Sequence, residues 1–220
     1  MPVWEPLLIY ALGTLWYGLF NWFWFWIWRE QPLRESLSLL YRELADYCEA
    51  KYSLLTQHTD PEKALPPLLV RQQKAVDLIT QCYQQMHMLS AQNNTDYKRM
   101  LRIFQEALDL QEHISVSLHQ PEEVQKLVER SHAEEVIRWN AQTVAARLRV
   151  LADDILYHRL PTRFTMEKQI GALEKIARQH PDNPVGQFCY WHFSRIARVL
   201  RTQKPLYARD LLADKQRRMP

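Results

Sequence analysis

The chain has 220 residues, 28 of them basic and 25 acidic, and a formal net charge of only +3. Glycine occurs 4 times, and no alternating apolar and polar run lies between turn signals, which leaves β-strands without support. We therefore predict an all-α chain, with one transmembrane helix followed by an elongated cytoplasmic helical bundle. The predicted divisions are residues 1–31 for the membrane helix, 32–204 for the cytoplasmic domain and 205–220 for a basic tail or linker.

Residues 7–28 carry no charged side chain and are rich in Leu, Ile, Phe and Trp. A helix of about 22 such residues is long enough to cross a hydrocarbon core of about 30 Å. The segment before it contains no Lys or Arg, and its end is no small-residue cleavage site, which argues against a cleaved signal peptide. We predict a single, retained span.

Aromatic residues crowd the C-terminal end of this span. Its tryptophans step around the helix instead of lining one side, which is typical of a belt at the level of the lipid headgroups. A ligand cage made from the same rings is the alternative interpretation. The predicted belt consists of Trp22, Trp24, Trp26 and Trp28.

Basic residues follow the span, whereas only Glu5 and the chain amine precede it. Because Lys and Arg are enriched on the cytoplasmic side of a membrane, we expect the C-terminal body to lie in the cytoplasm. The residues that set this predicted topology are Arg29, Arg34 and Arg42.

Small or weakly polar residues recur inside the span at intervals of three and four, which places them on one helix face. Such a face lets a second backbone approach closely, and an amide left unpaired in hydrocarbon is costly. We predict a packing face for another membrane helix; the alternative is that these residues simply face lipid. The predicted face consists of Ala11, Thr14, Gly18 and Asn21.

The first helix after the span is predicted to begin after Pro32 and to continue to Leu55. Its apolar residues repeat at three and four, which is typical of a coiled-coil seam. The seam includes Leu33, Leu37, Leu40 and Leu44.

A second helix is predicted from a cap at Asp60 and a first-turn proline at Pro61. We expect Pro66–Pro67 to break or kink it before the stretch Leu68–Leu89. Its predicted apolar face consists of Val76, Ile79, Tyr83 and Met86.

Four more helices follow from apolar spacing and start signals. The longest is predicted to run without interruption from Pro121 to about Tyr157. Thr165 is expected to cap a short helix, and Asn183–Pro184 repeats the arrangement of a cap followed by a proline. The predicted ranges are about 97–114, 121–157, 165–180 and 184–204.

The three cysteines, Cys48, Cys82 and Cys189, are odd in number and far apart in a body predicted to face a reducing compartment. We expect them to be free and mostly packed. Cys189 and His192 lie one turn apart, but two ligands do not make a metal site, so core packing is predicted for both. The sequence has no phosphate loop, nucleophile elbow or zinc motif, and we predict no enzyme activity, catalytic residue, cofactor or metal.

Eight basic residues lie between Arg195 and Arg218, against Asp210 and Asp214. Interleaved stacking aromatics and a docking motif are missing, so no nucleic-acid partner is predicted. Two interpretations stay open: attraction to anionic lipid headgroups, or a solvated helix face that pairs with acidic neighbours.

The junction at residues 28–47, WREQPLRESLSLLYRELADY, contains a proline followed by a helix with the pattern Leu-Tyr-x-x-Leu-x-x-Tyr. Together with Pro-Leu-x-x-Arg-x-Leu-Leu at residues 205–212, it resembles the YccS-type branch of the FUSC-like (fusaric acid resistance) bacterial inner-membrane proteins. The resemblance implies an inner-membrane location, a relation to efflux systems for aromatic acids, and a helical region in the cytoplasm between two membrane bundles.

The chain departs from that family pattern, which has several spans before this point and several after it. Only the last span of the first set is expected here, so the chain looks like a middle fragment, a split gene product or an excised piece. The implied partners are membrane lipid, other transmembrane helices of the same or an adjacent polypeptide, and a second copy in a homo-oligomer.

Two functions follow as expectations. In the first, the chain is the cytoplasmic domain and flanking span of an efflux permease for small organic compounds, acting in gating, coupling or oligomerisation. In the second, it is a single-pass, membrane-anchored helical scaffold that binds protein partners and transports nothing.

Overall fold

The structure, a computed structural model, describes residues 4–27, 30–56, 61–89, 95–115, 121–157, 159 and 164–217. Within these residues the chain forms eight helices and no strand, which confirms the all-α prediction. In chain order they are α1 (Trp4–Ile27), α2 (Gln31–Thr56), α3 (Pro61–Leu89), α4 (Thr95–Ser115), α5 (Pro121–Arg130), α6 (Glu134–Leu156), α7 (Glu167–Gln179) and α8 (Pro184–Arg217).

Helix α2 lies at the centre of the bundle. It packs most extensively on α6 and also contacts α3, α4 and α5. The apolar seam predicted on it is almost completely buried, at Leu33, Leu37, Leu40 and Leu44. The seam is therefore the core of this chain, and it is not available to a second copy.

Side chains from other helices complete the ends of α2 and α4. The carbonyl of Leu54 accepts a hydrogen bond from Gln125 Nε2 at 2.6 Å, and that of Thr56 accepts one from Arg138 Nη2 at 3.3 Å. Lys51 Nζ in turn donates to the carbonyl of Ile114, one residue before the end of α4. Because the last carbonyls of a helix lack partners within it, these bonds satisfy groups that would otherwise be buried and unpaired.

Helix α3 differs from the prediction at its prolines. It is continuous through Pro66 and Pro67, which lie inside the helix, so the expected break is absent. Both prolines are exposed, and so are Glu62 and Lys63 one turn earlier. Proline has no backbone N–H to donate within the helix, and here this turn of α3 lies at the surface.

The predicted apolar face of α3 is only partly correct. Met86 is buried and Ile79 packs against the core, but Val76 is 40% and Tyr83 63% exposed. The residues that α3 buries most completely are the small Ala75 and Cys82. The helix therefore presents its small side chains to the bundle, where close approach favours them.

The prediction of one uninterrupted helix from Pro121 to Tyr157 is wrong, because a turn divides this stretch into α5 and α6. His132 adopts a left-handed backbone conformation with φ of 50°, and the amide of Ala133 bonds to the carbonyl of Val128 at 3.3 Å. Such a left-handed residue ends a helix by closing its last carbonyls. Asn183, which precedes α8, reinforces the turn by donating to the carbonyl of Leu127 at 2.7 Å.

The last two helices differ in how they begin. Thr165 is not the cap of α7, because the cap position is Met166 and no side chain bonds there. For α8 the prediction is confirmed: Asn183 Oδ1 accepts a hydrogen bond from the amide of Val185 at 3.1 Å, with Pro184 in the first turn. The helix continues to Arg217, through much of the predicted tail.

Tyr41 offers a direct test of the packing between α2 and α4. Its hydroxyl is buried and donates to the carbonyl of Ile103 at 3.0 Å. We expect Tyr41→Phe to lower the free energy of unfolding by about 1 kcal/mol, because the ring stays packed while one buried hydrogen bond is lost. Chemical denaturation followed by circular dichroism measures this change.

The matched control is Tyr83→Phe, because Tyr83 lies on the exposed side of α3. Its effect should stay within about 0.5 kcal/mol of zero. Equal effects of the two substitutions would contradict the buried bond.

Candidate functional site

The surface of α1 is the most unusual feature of the chain. Every described side chain from residue 9 to residue 23 is exposed, including Tyr10 at 77% and Trp16 at 72%. No charged residue occurs in that stretch. A contiguous, uncharged and mostly apolar surface of this kind marks a site of interaction with a membrane or another protein.

The helical part of the membrane prediction is confirmed, since α1 is a helix of 24 residues. None of the helices in the described ranges has both the length and the apolar character that a membrane crossing requires.

The predicted packing face lies entirely within α1 and is exposed. The hydroxyl of Thr14 donates to the carbonyls of Tyr10 and Ala11 within the helix, each at 3.0 Å. A Cβ added at Gly18 would meet no atom within 4 Å. The face is thus open, and its role in helix packing stays a prediction, as it does for Asn21.

Only some residues of the predicted tryptophan belt and of the predicted basic set lie within the described part of the chain. Trp22 is 69% exposed. Trp24 and Trp26 belong to α1, whereas Trp28 and Arg29 lie outside the described residues. The belt therefore stays a prediction.

Both of the described topology arginines form ion pairs. Arg34 pairs with Glu30 at 2.9 Å, and Arg42, about half exposed, pairs with Asp153 of α6 at 2.7 Å. The first pair is local to the start of α2, whereas the second links α2 to α6. The orientation across a membrane stays a prediction.

A cluster of charged residues joins α2 to α3 and α6. Its acidic members, Glu43, Asp46 and Glu49, lie one turn apart on α2, and we call them the acidic row. Arg149 of α6 bridges Asp46 at 2.7 Å and Glu49 at 2.6 Å. These hydrogen bonds raise the pKa of Arg149 above its ordinary value.

On the other side of the acidic row, Glu43 is only 5% exposed and accepts a hydrogen bond from Lys74 of α3 at 2.6 Å. Arg71, also on α3, lies 3.4 Å from Glu43 and 3.3 Å from Asp46. Three carboxylates are thus matched by three cations. The arrangement holds three helices together. The cleft of about 500 Å³ beside it is also lined by Arg138, which donates to the carbonyl of Thr56.

A second polar group lies inside the core, around Lys51 and His192. Lys51 is 5% exposed, and burial lowers its pKa to about 8. His192 is 1% exposed, and neither of its ring nitrogens has a hydrogen-bond partner. Burial, followed by the charges of Lys51 and His113, lowers the pKa of His192 to about 4, so the ring is neutral at pH 7.

The packing predicted for Cys189 and His192 is confirmed. All three cysteines are free and buried, and burial raises the pKa of each thiol to about 12. His192 contacts the rings of Phe188 and Trp191, with centroids 4.4 and 5.6 Å away. Over the described ranges, no group of three or more His, Cys, Asp or Glu residues could hold a metal ion.

Residues 1–211 match the sequence profile of a family described as FUSC-like inner membrane protein yccS. The chain belongs to the FUSC-like family. This confirms the resemblance drawn from the junction and from residues 205–212. Membership also places the protein with inner-membrane proteins. No solved structure matches the chain.

In this FUSC-like chain, the acidic row and Lys51 are the charged groups that sequence reasoning missed. The carboxylates repeat every three residues beside an apolar seam, a signal that could have been found. Their partners could not, because Arg149 lies about 100 residues further along the chain.

The buried histidine predicts a specific dependence of stability on pH. Because the folded pKa of about 4 lies below the ordinary 6.5, the unfolded chain takes up the proton first as the pH falls. The contribution of His192 to the free energy of unfolding should be complete above pH 6.5. It should fall by up to about 3 kcal/mol as the pH is lowered to 4. His192→Leu should remove that part of the pH dependence in denaturation series measured at each pH.

The comparison at pH 8 is the control, since His192 is neutral there in both states and any difference reports only the packing of the leucine. A His192 ring resonance that titrates near pH 6.5 in the folded protein would contradict the predicted burial.

Proposed function

We propose that this chain is the cytoplasmic helical domain of a FUSC-like membrane transport protein, together with one of its membrane helices, α1. The observation that carries the proposal is the exposed, uncharged surface of residues 9–23 in a chain of this family. Exposed apolar surface costs about 25 cal/mol per Å² in water, so a helix with this surface requires an apolar environment. Lipid and neighbouring membrane helices supply one.

The length of α1 and the position of its aromatic residues support this placement. Its 24 residues extend about 36 Å, against about 30 Å for a hydrocarbon core. Trp and Tyr rings carry a polar group that lowers the apolar character of the helix, and these rings suit the headgroup layer. Trp22 is 69% exposed near the C-terminal end of α1, where a belt would contact headgroups.

The central position of α2 supports a role in coupling. Helix α2 begins four residues after the end of α1, and it contacts α3, α4, α5 and α6. A displacement of α1 would therefore act on the helix around which the body is packed. We propose that the body couples or gates the membrane helices of a transporter for small organic compounds of the aromatic-acid type.

One observation favours the second candidate function, a membrane-anchored scaffold without transport. Helix α3 exposes apolar side chains along one side, with Leu69 at 53% and Tyr83 at 63%. A partner helix could cover them. Export of small organic compounds of the aromatic-acid type distinguishes the two candidates. It is measured in cells that express the chain with its neighbouring membrane segments and in cells that express the chain alone. No export in either case supports the scaffold.

The proposed topology is tested with reporter enzymes fused after Pro220. Because basic residues follow α1, we expect a reporter that works only in the cytoplasm to be active and a periplasmic reporter to be silent. Alkaline carbonate washes should leave the full chain in the membrane fraction. The opposite pattern of reporter activity, or release by carbonate, would contradict the proposed placement.

The packing face of α1 gives a second test, since Gly18→Leu should block close approach of another membrane helix. Asn21→Leu should remove an interhelical hydrogen bond of about 1 kcal/mol and so weaken association roughly fivefold. Energy transfer between labelled chains in membranes, with and without the neighbouring segments, measures the effect.

The matched control is Gly13→Leu. Gly13 has equally open surroundings but lies about 140° around the helix from Gly18. Equal loss of association in the Gly13 and Gly18 variants would show that the face has no special role.

A further inference from the structure

Helix α3 carries a second seam of coiled-coil type, next to the side that it buries in the bundle. Its residues follow one another at alternating intervals of four and three, which is the spacing by which two helices pack along their length. We call these residues the outer seam. They are Leu65, Leu69, Gln72, Val76, Ile79 and Tyr83.

Most of the outer seam is uncovered. Leu65 is 43%, Leu69 53%, Val76 40% and Tyr83 63% exposed, and in the described chain none of these four packs against the core. With about 200 Å² for each large side chain, the four together expose on the order of 400 Å², the size of an apolar patch that marks an interaction site. The seam of the same spacing on α2 is buried, so a second copy can reach only the one on α3.

The outer seam carries no charge. The three charged residues of α3 in this range lie about 100° or more around the helix from Val76. Arg71 and Lys74 instead pair with Glu43 of α2, at 3.4 and 2.6 Å, and Asp77 accepts a hydrogen bond within α3. Two copies of this face can therefore meet without bringing like charges together.

Gln72, near the middle of the outer seam, points to the occupant. Its side chain is half-buried and forms no hydrogen bond within the described residues, whereas its neighbour Gln73 donates to Asp77 at 2.9 Å. A side-chain amide both donates and accepts, so two copies of Gln72 satisfy each other when they face across a seam. A single polar residue in an apolar seam also fixes the register of a coiled coil.

We propose that α3 is the interface of a homodimer, in which the outer seams of two copies pair in parallel. Each seam residue then meets its own counterpart, with Gln72 bonded to the partner's Gln72 between layers formed by Leu69 and Val76. The dimer goes beyond the proposed function, because it is compatible with a transporter and with a scaffold alike.

Opposite charges at position 72 test this pairing. Gln72→Glu and Gln72→Lys should each weaken dimerisation at least about tenfold, because like charges then face each other across the seam. A mixture of the two variants should restore the dimer, since each Glu then faces a Lys. Energy transfer between donor-labelled and acceptor-labelled full chains in lipid vesicles measures the effect. All chains carry Gly18→Leu, so a failure of this dimer is distinguished from a failure of the packing face of α1.

The matched controls are Gln81→Glu and Gln81→Lys. Gln81 is exposed on the same helix and lies nine residues from Gln72, which is about 180° around the helix. Energy transfer by these variants should equal that of the unsubstituted seam. Melting temperatures close to that of the parent chain show that each variant is folded.

Cross-linking locates the interface independently. With a short bismaleimide, Val76→Cys should form a covalent dimer at least about tenfold faster than Val70→Cys, because only position 76 faces its counterpart. Val70 is the more exposed of the two, at 68% against 40%, and lies about 120° around the helix. The native cysteines are free and buried, so their contribution to cross-linking should be low.

Contrary results would overturn the proposal. Unchanged energy transfer in both single variants at position 72, or equal cross-linking at positions 70 and 76, would place any dimer interface elsewhere. No recovery in the mixture would exclude pairing of Gln72 with its counterpart. A purified chain that is monomeric, while Val76→Cys cross-links to another protein in cells, would show that a different partner covers the seam.

Discussion

The burial of α2 on several sides is the constraint on which the rest of the structure depends. A helix surrounded by neighbours must satisfy its polar groups from those neighbours, because water does not reach them. Glu43 and Lys51 are each only 5% exposed, and they meet this requirement through Lys74 and the carbonyl of Ile114. The positions of α3 and α4 are thus fixed by charge and hydrogen bonding as well as by apolar contact.

The helical body and α1 differ in where they place their apolar side chains. The body turns its leucine seam inward, whereas α1 keeps residues 9–23 exposed and uncharged. We propose that this contrast reflects two solvents, water around the body and lipid around α1. The ion pair of Arg42 with Asp153 binds the N-terminal half of α2 to α6.

The contact between α7 and α8 depends on a missing side chain at Gly186, which allows the two helices to touch. Charge also holds helices together in this structure. Arg201 of α8 pairs with Glu167 of α7, and Arg149, Arg71 and Lys74 pair with the acidic row of α2.

The sequence by itself determined the local features: helical periodicity in α2 and α4, the Asn183 cap, the buried cysteines, the uncharged stretch of α1 and the FUSC-like pattern. These depend on neighbours within a few residues, so they can be read along the chain. Only the tertiary structure decided which side of α3 is buried, because that helix has apolar residues on two sides and close approach selects Ala75 and Cys82. It also decided the break at His132, where Asn183 donates to the carbonyl of Leu127, 56 residues away. Both depend on contacts between distant parts of the chain, and spacing along the sequence does not specify such contacts.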